Sequence, residues 1–249
     1  SMRALFAPMF RDAPHVAAPY CYRCPFGAAP ADCGLPCARR LEAEILRQGP
    51  GRVAAFIGEP VGGATLGAIV PPAGYWPLIR DICDRYGVLL IADEVLTGFG
   101  RTGTWFAVEQ FGVKPDLMVM AKGAAGGYFP LSILAARGAD VETIRTVHGN
   151  FNHGGTFSHH AVGAAAALAT IDYLEAHDLI ARAAALGAAL GRKLRDSLGD
   201  LPAVGDVRGI GMVWAVEFVA DRQTREPFPA GAHFADRVCA RAMDLGVLF

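Results

Sequence analysis

The sequence predicts an α/β fold, a mostly parallel sheet flanked by helices, followed by part of a smaller α+β unit. Three observations predict it. Short apolar segments alternate with a helical one (VAAFIGE at 53–59, PLIRDICDRYG at 77–87, VLLIADE at 88–94), the order that builds parallel pairs through crossovers. The strand-like segments are apolar at successive positions without in–out alternation, as in strands covered on both faces. Three of them run out into polar residues, namely Glu59, Asp93-Glu94 and Lys122. Open α/β sheets gather functional groups just beyond the carboxyl ends of their strands.

Each element follows from local signals. Residues 1–37 are rich in Pro, Gly, Cys and aromatics and read as an extended lead-in loop. ARRLEAEILRQ, 38–48, has Leu41, Ile45 and Leu46 on one side of a helix, and Gly49-Pro50-Gly51 stops it. After the strand at 53–59, the helix at 77–87 has Pro77 in its first turn and Gly87 just past its end. Strands are then expected at 88–94, LMVMA (117–121) and LSILAAR (131–137). Residues 38–160 thus form part of a large domain. Beyond it the composition turns alanine-rich, which favours helix, and helices are expected at 159–176 and 178–198. A single strand-like segment VRGIGMVWAVEFV (207–219) and a helix near 230–245 follow. Residues 161–249 therefore read as connecting helices and a partial small C-terminal domain.

The bulk composition excludes several function classes. A chain of 249 residues with 53% hydrophobic content supports a sizeable core. Net charge is −1 and the basic residues are dispersed, so neither a nucleic-acid groove nor a polybasic membrane patch is expected. No apolar run approaches the ~20 residues of a spanning helix. The opening SMRALFAPMF lacks a signal-peptide core, which makes a cytoplasmic location the expectation. Four cysteines, Cys21, Cys24, Cys33 and Cys37, fall close together. A CxxC with a second pair is what tetrahedral zinc needs, but the intervening loop is short and the second pair is CxxxC. The competing reading is a Pro/Gly-rich surface loop with small, partly buried thiols; a disulfide is disfavoured in a reducing compartment.

Lys122 is one of three lysines, with Lys114 and Lys193, against twenty arginines. At a strand's carboxyl end, partly desolvated, an amine can have its pKa lowered enough to act as a nucleophile. Arginine cannot replace it, because the guanidinium stays protonated and forms no imine. Gly123, Ala124, Ala125, Gly126 and Gly127 behind it allow a flat or bulky group close to the backbone. Asp93 ends an apolar strand, so its carboxylate calls for a cation, such as the protonated ring nitrogen of an electron-sink cofactor. A helix cap or a structural ion pair is the alternative for Asp93.

Four segments in order, EPVGGATLGAIVPPAGYW, LIADEVLTGFGRTG, MVMAKGAAGGYFPLS and HGGTFSHHAVGAAAALATIDYL, resemble the class III (omega-type) aminotransferases. The resemblance runs from about residue 12 to the end. It implies the pyridoxal-phosphate-dependent transferase fold type I, that of aspartate aminotransferase, and pyridoxal 5'-phosphate as cofactor. It also implies a homodimer with a shared active site, acting on a small-molecule amine and a keto acid. By the same resemblance Lys122 matches the Schiff-base lysine and Asp93 the partner of the pyridine nitrogen. Val95 matches the side chain packed on the ring, and Thr156 the hydroxyl that reaches a phosphate of the neighbouring subunit. Glu59 matches a glutamate that in some members pairs with a switching arginine. Arg101, Arg208 and the group His148, His153, His159 and His160 are expected in structural or interface roles.

The departures from the family are specific. Leu96 stands where ornithine- and GABA-type members carry glutamine, and EPVGG has glycine where many relatives have a larger residue. No segment matches the family's Gly-Ser/Thr phosphate cradle, its ring-stacking aromatic or its C-terminal substrate arginine, so the chain reads as truncated at both ends. A transaminase or its core is the first expectation. A racemase, aminomutase or decarboxylase on the same scaffold is the second, and a non-catalytic fragment or binding protein the third.

Overall fold

The structure, a computed structural model, describes residues 9, 13–28 and 33–248. Four short strands form one sheet in the order β1 (Ala55–Gly58), β2 (Leu89–Asp93), β3 (Leu117–Met120) and β4 (Ile133–Ala136). The first three are parallel, with Gly58 beside Ala92 and Asp93 beside Val119. β4 returns antiparallel, pairing Ile133 with Met120. Only a 3-10 turn at Lys122–Ala125 and a Gly-rich loop join β3 to β4. No helix is available there to carry the chain across the sheet face, as a parallel return requires.

Helices α1 (Pro36–Gln48) and α2 (Tyr75–Tyr86) pack on each other and on β2. Leu41, Ile45, Ile79, Ile82, Cys83 and Leu90 make the centre of this core, each large aliphatic contributing about 1.5–3 kcal/mol on burial. Gly49 and Gly87, both at positive φ, close the two helices as their positions predict. α2 starts two residues before Pro77, because Gly74 adopts a left-handed cap and lets Tyr75 and Trp76 join the helix. The buried Trp76 indole donates to the Pro60 carbonyl at 3.0 Å, fixing the turn that follows β1. At the opposite end of the sheet, buried Asp116 accepts from the Leu90 N–H (2.6 Å) and pairs with Arg80 (2.9 Å) and Arg137 (2.6 Å).

α3 (Gly138–His148) is a helix that periodicity does not reveal: it buries no side chain, so it carries no apolar stripe. α4 (Ala161–Ala176) packs against the Lys122–Ala125 turn, burying Ala124, Ala125 and Ala167. α5 (Leu179–Leu198) packs on a separate two-stranded sheet. The single strand expected over 207–219 is in fact an antiparallel hairpin, β5 (Val204–Ile210) and β6 (Val213–Phe218). The reversal falls at Gly211, whose φ of 56° suits glycine. A Cβ at Gly187 of α5 would stand 2.6 Å from the Gly211 Cα, and one at Gly191 3.0 Å from the Trp214 Cε2. Two glycines one helical turn apart therefore let α5 close on the hairpin, Gly187 against the Gly211 backbone and Gly191 against the Trp214 ring. A 3-10 turn (Ala230–Ala232) precedes α6 (Phe234–Asp244).

Candidate active site

Three polar residues lie at or just past the carboxyl ends of the three parallel strands. Glu59 directly follows β1, Asp93 ends β2, and Lys122 lies two residues past β3. Adjacent strands lie about 4.8 Å apart, so the three residues leave successive strands at the same end of the sheet. Asp93 is half-buried, and its Oδ1 accepts the Val95 N–H at 3.1 Å. Val95 is half-buried beside it. Lys122 is exposed and faces an open depression lined by Gly127, Phe129, Leu131 and Ser132. The partial desolvation expected of Lys122 is therefore absent in this chain, because the depression has no roof. Its backbone sits at φ 45°, a left-handed conformation that costs energy in a residue with a Cβ.

Neighbouring segments constrain this edge. Glu59 Oε2 accepts the Gly63 N–H at 2.9 Å. A Cβ at Gly63 would stand 2.6 Å from Glu59 Oε1 and 3.1 Å from Leu96 Cδ2. Glycine in EPVGG and leucine at 96, two separate departures in the sequence, are thus one spatial arrangement around Glu59. Glu94, on the other side of β2 from Asp93, is fully buried. It accepts from the Thr97 hydroxyl and from the Val108 N–H at 2.9 Å. Burial pushes its carboxyl up, and the Thr97 hydroxyl with the Val108 and Ala107 N–H groups pulls it back. Sequence reasoning noted Glu94 only as a strand-end acid; a threonine three residues on was the one local hint.

The remaining sequence candidates divide. Thr156 sits on an exposed loop and makes no hydrogen bond to another described side chain. His160 caps α4 by accepting the Gly163 N–H at 3.4 Å, and its ring stacks on Phe129 at 5.0 Å, which places it beside the Lys122 depression. His153 packs edge-on to Phe151. The Arg101 carbonyl accepts the Met212 N–H at 2.8 Å, joining the hairpin to the sheet domain. Arg208 is a hub: it donates to Leu66 and Gly67 carbonyls (2.7 Å each), pairs with Asp206 (3.0 Å) and Glu217 (2.7 Å), and lies over the Tyr20 ring at 4.8 Å. With four of its five N–H donors engaged, it ties the lead-in loop, the 66–67 turn and the hairpin together. The four cysteines are free and line one small recess. Among the described residues no group of three or more His, Cys, Asp or Glu side chains is arranged to hold a metal ion. Burial, then the neighbouring thiols, pushes Cys21 up, and burial does the same for Cys37. Both effects favour S–H over the thiolate that zinc requires.

The donor set fits pyridoxal phosphate at its reactive end. A primary amine and a carboxylate on neighbouring strand ends are what an aldehyde and a basic ring nitrogen need. Gly127, with nothing within 4 Å of its would-be Cβ, leaves room beside the amine.

The family model for "Aminotransferase class-III" matches residues 1–249. The chain is 45% identical over 214 residues to a putrescine–pyruvate aminotransferase of Pseudomonas aeruginosa, covering 86% of this chain and 46% of that protein. It is 43% identical over 236 residues to a diaminobutyrate–2-oxoglutarate transaminase of Halomonas elongata, covering 92% and 50%. Among solved structures, a thermostable (S)-enantioselective omega-transaminase from Thermomicrobium roseum superposes with a TM-score of 0.92 at 41% identity, covering 99% of this chain and 55% of that one. A PLP-bound amine transaminase from an uncultivated Pseudomonas species gives 0.89 at 41% identity, covering 94% and 53%. The chain spans about half the length of the relatives it matches.

Proposed function

The chain belongs to the class-III aminotransferases, and on that premise we propose that it carries the reactive half of a pyridoxal-phosphate-dependent transaminase. Its work is to move an amino group from a small-molecule amine or omega-amino acid to a 2-keto acid. The observation that supports the reading is the register that brings Asp93 level with Val119, so that Lys122 follows three residues on at the carboxyl end of the adjacent parallel strand. When bound, the cofactor supplies an aldehyde for amines and a protonated ring that withdraws electrons from the carbon next to the nitrogen. The residues' roles follow from their chemistry. Asp93 holds the ring nitrogen in its charged form. Val95 supplies an apolar surface for the ring. Lys122 Nζ, as a free amine, takes the proton from the donor's Cα and returns one in the reverse half-reaction. Glu59, held by the Gly63 N–H, presents a carboxylate to the substrate side.

The reading includes three further parts. Residues 1–37 are a lead-in, 38–160 a portion of the cofactor domain, and 161–249 connecting helices with part of the small domain. A homodimer lets Thr156 reach the neighbouring copy's phosphate; Phe157 and Tyr128, 80% and 90% exposed, support a contact there. The setting is the cytoplasm. The test is to mix the chain with pyridoxal phosphate, reduce with borohydride and map the pyridoxyl mark by mass spectrometry. The mark is expected on Lys122, and not on Lys114 or Lys193 of the Lys122→Ala variant. Equal marking of all three lysines in the wild type would sink the assignment.

A further inference from the structure

Glu94 is a buried carboxylate that the proposed chemistry does not use, and among the described residues no cation pairs with it. Its contacts are neutral donors, the Thr97 hydroxyl and backbone N–H groups at the start of the 3-10 turn Ala107–Phe111. A side chain with only one acceptor can cap such a turn without desolvating a charge. A carboxylate differs in that both oxygens accept at once. Here one oxygen faces Thr97 and the other faces Val108, so the group clamps the two ends of the 97–108 loop to the end of β2.

What the clamp holds is visible inside the loop. The Gly98 N–H donates to the Glu94 carbonyl at 2.9 Å, and Phe99 packs edge-on to Phe106 at 5.6 Å. Phe99 has φ 59°, an unfavourable conformation for an aromatic residue. Gly123 rests on this unit: a Cβ there would stand 3.1 Å from the Phe99 Cβ and 3.5 Å from the Gly98 carbonyl. Lys122, at φ 45°, comes immediately before. Two left-handed non-glycine residues thus adjoin Gly123, Phe99 in space and Lys122 along the chain, and strained conformations persist only where their surroundings over-determine them.

We propose that Glu94 is the positioning residue for the Lys122 amine, acting through the 97–108 loop and the Phe99–Gly123 contact. The proposal rests on the reading of Lys122 as the reactive amine. It is tested by backbone hydrogen exchange on Glu94→Ala and Glu94→Gln chains, with pyridoxal-phosphate trapping as second readout. In Glu94→Ala, exchange is expected to rise about tenfold at 97–108 and again at 122–126, while amides of α1 and α2 keep their protection. Trapping at Lys122 falls in the same variant. Glu94→Gln, which keeps one acceptor, gives about a threefold rise in both segments and recovers part of the trapping. Where Glu94→Ala does not fold, Glu94→Gln carries the same comparison. Loosening at 97–108 with 122–126 unchanged makes Glu94 a local cap and overturns the proposal. A wild-type chain left unmarked at Lys122 defeats the functional reading instead, and the exchange data still decide the coupling.

Discussion

Gly187→Ala sets two physical effects against each other. The residue lies inside α5 and is buried. Helix propensity alone makes alanine more stable there by about 1 kcal/mol. Packing argues the reverse: the new Cβ would stand 2.6 Å from the Gly211 Cα and nearer still to its carbonyl. That is roughly 1 Å inside ordinary contact, and the obstacle is backbone, not a side chain that can swing away. The hairpin turn cannot yield easily either. The Met212 N–H is bonded to the Arg101 carbonyl, and a Cβ at Gly211 would itself meet Thr102 Cα at 2.5 Å. α5 must move, and overpacking of this kind costs up to about 3 kcal/mol. The net expectation is a loss of about 2 kcal/mol. Gly138→Ala is the control: it opens α3, its Cβ meets nothing within 4 Å, and it should be neutral or stabilising by up to about 1 kcal/mol. Urea unfolding followed by circular dichroism, with equal m-values, gives both numbers. If Gly187→Ala unfolds at the wild-type urea concentration or above it, the close-packing argument is wrong.

Asp116→Ala strands the buried Leu90 N–H and removes a shared anion from Arg80 and Arg137, so calorimetry should show a loss of about 3 kcal/mol. Asp116→Asn keeps an acceptor and should lose about half of that; no difference between the two would refute the N–H argument. Burial pushes the Cys83 thiol up to about 11, leaving about one part in a thousand as thiolate at pH 8. A thiol reagent should therefore mark exposed Cys239 quickly and Cys83 only on unfolding. Burial raises the Glu94 carboxyl above its unfolded value of 4.5. Just above that value the native chain keeps a proton that the unfolded chain has lost, so stability declines as pH rises through the window. Glu94→Gln should flatten that decline in urea titrations above pH 4.5, and an unchanged slope would contradict the assignment.

Sequence signals found the site's backbone because they are local. Apolar runs ending in Glu59, Asp93 and Lys122 mark strand ends, and Gly49 and Gly87 mark helix ends, without reference to distant residues. The features missed are those set by partners far along the chain. β4 runs antiparallel because no crossover helix follows β3. The 207–219 segment folds at Gly211, where φ is 56° and the Thr102 backbone leaves no room for a Cβ. The two oxygens of Glu94 find Thr97 nearby but Val108 only after the loop returns.

The exposure of Lys122 is the more instructive miss. Inferring a desolvated amine from a strand-end position assumes that something covers that end. Here the covering is not a property of the strand. Ile57 on β1 and Leu134 on β4, at the two edges of the sheet, are 57% and 59% exposed, and the depression before Lys122 is open. What the chain does hold internally is orientation. Register brings Asp93 level with Val119, three residues before Lys122, Gly63 packs against Glu59 and Leu96, and Phe99 supports Gly123. Orientation and desolvation are therefore separable in this molecule. The first is built from residues 55–136, and the second depends on whatever surface comes to lie over the sheet edge. An amine placed by its own backbone but still in contact with water should take up an aldehyde selectively, yet hold it weakly, because nothing among the described residues shields the adduct from hydrolysis. Selective but weak marking of Lys122 is the pattern this geometry demands.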